Sequence, residues 1–76
     1  MDDLELLVER DVPKLTGPEL DALRWAAAGL TADMTARVFC KSRDTVSDQL
    51  DSARLKLAAT TKTQAVARAM RHGLIP

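Results

Sequence analysis

The stretch that most limits what this chain can become runs from Gly29 to Leu57, GLTADMTARVFCKSRDTVSDQLDSARLKL. Thr31 stands where an N-cap is wanted, and a helix follows from Ala32 to about Phe39, with Asp33 in the first turn where the helix dipole favours an anion. Cys40-Lys41-Ser42 is the turn. Ser42 caps a second helix from Arg43 to about Ala58. Its apolar positions, Val46, Leu50, Ala53 and Leu57, repeat at spacings of 4, 3 and 4, which is one narrow stripe. The opposite face carries Arg43, Asp44, Ser47, Asp48, Asp51, Arg54 and Lys56. A helix with so narrow an apolar stripe leaves most of its circumference free. Met34, Val38 and Thr35 are expected to face inward from the shorter helix.

The rest of the chain reads as support. Leu15-Thr16-Gly17-Pro18-Glu19 is a helix start with a capping box between Thr16 and Glu19 and a staple between Leu15 and Leu20. That helix should run to about Ala28, with Leu20, Leu23 and Ala27 inward, and Gly29 at the left-handed C-cap. Thr61 and Gln64 form a second capping box for a last helix over residues 62–72, whose apolar face is Ala65, Val66, Ala69 and Met70. Gly73 supplies its C-cap, and Leu74 and Ile75 fold back. Before all this, Leu4, Leu7 and Val8 share a face over residues 3–10. A helix that short needs a surface to pack on, and Val12-Pro13 ends it. The expected fold is therefore all-α, a small four-helix domain over residues 13–76 behind an acidic leader, 1–12, with a short helix of its own.

Composition narrows the function. Seventy-six residues make one small domain near the lower limit for a self-sufficient core. The chain is 46% hydrophobic, mostly Ala and Leu, with Trp25 and Phe39 its only aromatics. No stretch approaches the roughly 20 apolar residues of a membrane span. The acidic start is unlike a signal peptide, and the single cysteine, Cys40, suits a reducing cytoplasm. His72 lies far along the chain from Cys40. No metal-ligand spacing, acid–base pair or cofactor motif is present, so catalytic and metal residues are read as none and an enzyme as the least favoured class. Cys40 reads as a half-buried turn residue, and Trp25 as core or interface. The zero formal net charge divides unevenly. Residues 1–12 hold five acids and one base, a net of −4, and residues 13–76 hold six acids and ten bases, a net of +4. A mildly basic domain is compatible with nucleic acid and equally with a solvated mixed surface.

A short helix, a three-residue turn and a longer helix make a helix-turn-helix, in which the second helix enters the DNA major groove while the first crosses the backbone. An ordinary antiparallel pair in a helical bundle has the same periodicity. The residue identities separate the two. Leu15-Thr16, Glu19, Leu23, Ala27-x-Gly29-x-Thr31, Ala36, Ser42, Thr45-Val46, Lys56-Leu57 and Ala65-Val66, with the ending ARAMRHGLI, follow one pattern without gaps over about 60 residues. In these the chain resembles the LuxR/GerE-type helix-turn-helix domain. Region 4 of sigma factors is a relative with a similar central stretch. The resemblance implies a homodimeric, stand-alone DNA-binding transcription regulator in the cytoplasm, with double-stranded DNA as partner. On it, Thr31 and Thr45 touch phosphates; Ser47, Asp48 and Asp51 face base edges; Arg54, Lys56 and Lys62 lie near the backbone. Lys41, Ser42 and Arg43 belong to the same DNA-binding surface. Helix 62–72 becomes the dimerisation surface, through Ala65, Val66, Ala69 and Met70.

Several residues depart from the family pattern. Ser47 replaces a lysine, Asp33 stands where a lysine is common, Lys41 where an apolar residue plugs the turn, and Asp48 and Asp51 where side chains are basic or neutral. Carboxylates accept from cytosine amino groups but repel phosphates. Pairs are expected between Asp51 and Arg54, between Asp44 and Lys41, and between Glu19 and Lys62. The net effect is weak intrinsic DNA affinity, aided by a dimer or a partner. The same acids motivate the alternative, a helix-turn-helix repurposed as a protein-binding regulator that sequesters a transcription factor or an RNA polymerase component.

Overall fold

Residues 12–76 are described by the structure, a computed structural model, and the expected leader helix over residues 3–10 lies outside them. Four helices follow in order: α1 (Gly17–Ala27), α2 (Ala32–Phe39), α3 (Arg43–Lys56) and α4 (Lys62–Arg71). No strand occurs among the described residues, and the all-α expectation holds.

Every helix begins on a hydroxyl. Thr16, Thr31, Ser42 and Thr61 each sit in extended backbone and accept from the amide three residues on, Glu19, Met34, Thr45 and Gln64. Each bond satisfies one of the amides a helix leaves unpaired at its start. The capping box of α1 is complete: the Glu19 amide donates to Thr16 Oγ1 at 3.3 Å and the Thr16 amide to Glu19 Oε1 at 2.7 Å. At α4 the return bond shifts by one residue. Gln64 Oε1 accepts from the amide and hydroxyl of Thr60, at 2.7 and 2.9 Å, rather than from Thr61.

The helices also end alike. Gly29, Cys40, Ala58 and Gly73 have φ of 92°, 54°, 54° and 73°. The residue after each donates its amide five residues back: Leu30 to Trp25, Lys41 to Ala36, Ala59 to Arg54 and Leu74 to Ala69, at 2.9–3.0 Å. This is the Schellman closure, which supplies partners for the last carbonyls. It explains why α3 stops at Lys56, with Leu57 as cap, two residues before the expected end.

The core is small in volume and rich in alanine. Leu23, Ala53, Leu57, Ala59, Ala65, Ala69 and Ile75 form one buried cluster, with Leu15, Leu20, Leu50, Val66 and Leu74 packed against it. Alanines at facing positions let α1, α3 and α4 approach closely, and Ile75 folds back to close the base. Leu23 and Val46 are the largest fully buried side chains. On α1 the inward alanine is Ala22, and Ala27 is exposed, contrary to expectation. On α2 the inward residues are Thr35 and Ala36, whereas Met34 and Val38 lie 53% and 56% exposed. Buried Thr35 is tolerated because its hydroxyl donates to the Thr31 carbonyl at 3.0 Å. Phe39 meets Trp25 edge to face, with centroids 5.2 Å apart, and ties α2 to α1.

Candidate nucleic-acid interface

α3 is anchored through its C-terminal half. Glu19, in the first turn of α1 and 4% exposed, turns its carboxylate to α3. Its carboxylate takes the Thr16 amide, the Ser52 hydroxyl and the Lys56 ammonium, the last at 2.8 Å. Burial raises the pKa of such a group, but here the bonds from Lys56, Ser52 and Thr16 outweigh it and hold the carboxyl at about 2. The expected partner of Glu19 was Lys62; the structure gives Lys56, which stands three to four residues from Ser52 and Ala53 on the same side of α3. At the end of α3, Arg68 of α4 donates to the carbonyls of Leu57 and Ala58 at 2.9 and 2.7 Å. Arg54 donates to the Ala59 carbonyl at 3.1 Å. Two guanidinium groups thus stand at the negative end of the α3 dipole, bonded to carbonyls of its cap and of the two residues that follow.

The N-terminal half is held more lightly. Val46 is buried, and Ser42 and Thr45 join hydroxyl to hydroxyl at 2.7 Å. Arg43 Nε lies 3.4 Å from Asp33 Oδ1 on α2. The expected Asp51–Arg54 pair is present at 3.7 Å. The expected Asp44–Lys41 pair is not among the salt bridges of the described residues.

The residues expected to meet DNA fall into groups. Thr31, Lys41, Ser42, Arg43, Thr45 and Asp48 are exposed around the start of α2 and the turn into α3. Ser47, Asp51, Arg54 and Lys62 come together around an open hollow of about 250 Å³, completed by Ala32 and Leu50. Ala32 and Lys62 are the first residues of α2 and α4, so two helix N-termini border this hollow. Lys56 is drawn away to Glu19. The four residues expected at a dimer surface divide likewise: Ala65 and Ala69 are buried in the domain's own core, Val66 is half-buried and Met70 is 45% exposed. Only the last two lie at the surface of α4. Cys40, expected half-buried, is exposed. Sequence periodicity missed Arg68, whose spacing shows a surface cation and not the carbonyls it reaches.

No protein-family model matches the chain. Curated relatives do. The chain is 43% identical over 61 residues to the HTH-type quorum sensing-dependent transcriptional regulator VjbR of Brucella ovis, covering 80% of this chain and 24% of that protein. It is 42% identical over 62 residues to the HTH-type quorum sensing-dependent transcriptional regulator RpaR of Rhodopseudomonas palustris, covering 82% of this chain and 26% of that one. The transcriptional activator protein SolR of Ralstonia nicotianae is 39% identical over 69 residues, 91% of this chain and 29% of its own length. The chain carries a LuxR-type helix-turn-helix domain. It spans about a quarter of the length of the first relatives it matches. Within the LuxR-type frame, α2 and α3 are the helix-turn-helix proper, α1 is its support, and α4 backs the end of α3. No helix among the described residues is long and apolar enough to cross a membrane, and no group of three or more His, Cys, Asp or Glu among them could hold a metal.

Proposed function

We propose that this chain binds double-stranded DNA as the reading domain of a transcription regulator, with α3 in the major groove. The observation that carries the reading is the similarity to transcription regulators over at least 80% of the chain. The geometry is in keeping with it. α3 presents Ser47, Asp48 and Asp51 away from the core, the turn presents Lys41 and Arg43, and Lys62 stands beside the hollow at the start of α4. Asp48 and Asp51 suit cytosine amino groups, and the cations and helix N-termini suit phosphates. Homodimerisation through Val66 and Met70 of α4 would set two copies of α3 in successive major grooves, in the cytoplasm where the chromosome lies.

A mobility-shift or anisotropy titration on random-sequence duplex at about 50 mM salt tests the reading. Binding that weakens steeply as salt rises is expected, and no binding at that salt overturns it. Sedimentation or light scattering tests the dimer, and Met70→Glu should shift the mass to monomer.

A second reading is favoured by the exposed Met34, Val38 and Phe39 and by Asp44 and Asp48, which have no salt-bridge partner among the described residues. On it the domain binds a protein, such as another transcription factor or a polymerase component. Asp48→Lys with Asp51→Lys would then create DNA binding where the native chain has none.

A further inference from the structure

The pair between Asp33 and Arg43 crosses from the first turn of α2 to the first residue of α3, and both side chains are largely exposed, at 62% and 70%. An ion pair in such a place adds little to stability, because water screens it and two flexible side chains must be ordered. It has another consequence. Arg43 is at the tip of the helix proposed to enter the groove, beside Lys41 and Ser42, where a guanidinium would reach a phosphate. A carboxylate already fills that acceptor role.

We infer that Asp33 is an internal competitor for the DNA backbone: it occupies the Arg43 guanidinium and so removes one phosphate contact from the bound state. The inference rests on the DNA-binding reading above and deepens it by naming a residue that sets affinity. Arg43 stays with Asp33 in the complex. That lowers binding that depends on charge alone, since such binding derives from counterions released as cations meet phosphates. Arg54 is a different case despite its pair with Asp51. It also donates to the Ala59 carbonyl and its side chain is only 29% exposed, so releasing Asp51 would not free it.

The test is a cycle of D33N, R43Q and the double variant on the full chain, titrated against one random-sequence duplex across a salt series. Circular dichroism and thermal melts are expected to match the native chain, because neither side chain belongs to the core. D33N should bind about 3- to 10-fold more tightly at low salt, and its log affinity should fall more steeply with log salt by about one phosphate contact. Placed on R43Q, D33N should leave that slope unchanged, because no guanidinium is left to release. An equal steepening in both backgrounds, or none in either, overturns the inference while the DNA-binding reading stands. No binding by any of the four proteins overturns the DNA-binding reading, and the inference with it.

Discussion

Glu19 shows how one side chain joins two levels of structure. It closes the capping box of α1 and, with its other oxygen, holds Ser52 of α3, while Lys56 supplies the opposing charge. Its pKa lies below the ordinary 4.5, so the folded state binds its proton more weakly than the unfolded state. The stability it contributes is complete above pH 4.5, declines as pH falls from there, and is gone below about 2. Glu19→Gln keeps the shape and a cap acceptor but loses the charge. It should cost on the order of 1–2 kcal/mol at pH 7 in urea unfolding, with the gap to the native chain closing as pH is lowered from 4.5 toward 2. A gap that stays constant over that range would show that the charge of Glu19 is not what stabilises. Ala58 makes a different residue-scale point. It takes φ of 54°, a conformation that costs a residue with a Cβ about 1 kcal/mol and a glycine almost nothing. Ala58→Gly should therefore raise stability by about 0.5–1 kcal/mol, unlike a glycine introduced inside α3, and a thermal melt would show it.

At the scale of elements, the starts of the helices were legible in the sequence and the ends only in part. Thr16, Thr31, Ser42 and Thr61 announce themselves because hydroxyl residues cap by a local bond that needs no tertiary partner. Gly29 and Gly73 announce two ends because, lacking a Cβ, they take the positive φ of the closing turn without strain. Cys40 and Ala58 close the other two in the same left-handed turn without a residue type that signals it, so α3 reads two residues too long. On the inward face of α2, hydrophobicity points rightly to Thr35's side but wrongly to Met34 and Val38. The expected Thr35, joined by Ala36, takes the core, since small side chains let α2 pack close to its neighbours and Thr35 satisfies its own hydroxyl. The exposed face of α3 is legible as a set of positions, not as a pattern of partners. Spacing alone found Asp51–Arg54, whereas Arg43–Asp33, Glu19–Lys56 and Arg68 with the end of α3 depend on how helices cross. Arg68→Ala should remove the bonds to Leu57 and Ala58 and cost about 1 kcal/mol. Its distinctive mark would be local: amide exchange in the last turn of α3 should quicken severalfold while α1 stays protected. Uniform loss of protection would instead place Arg68 among residues that support the whole fold.

For the whole molecule, close packing by alanine decides what can change. Ala53 and Ala69 are fully buried and Ala65 nearly so, at the places where α1, α3 and α4 converge. Larger side chains there have nowhere to go. Ala53→Leu should destabilise by about 1–3 kcal/mol, despite adding apolar surface, because the helices must part to admit it. For a domain of this size that is a sizeable share of total stability. Chemical unfolding measures it, and a stabilised variant would show unfilled space in the core. The same packing limits how two copies could meet. With Ala65 and Ala69 buried inward, a dimer through α4 would rest on Val66 and Met70, a narrow strip suited to weak, reversible pairing.

The uneven fastening of α3 has one more consequence. Ser52, Ala53, Lys56 and Leu57 fix its root to two other helices, while toward the tip only Val46 is buried, with the hydroxyls of Ser42 and Thr45 and one exposed ion pair beside it. The helix behaves as a cantilever, clamped at one end and loaded at the other. Substitutions along its outer tip can accumulate with little penalty to folding, so the surface it presents can change while the scaffold beneath it stays the same. If the tip of α3 reads DNA as proposed, specificity can evolve almost independently of stability, because the two are written on opposite ends of one helix.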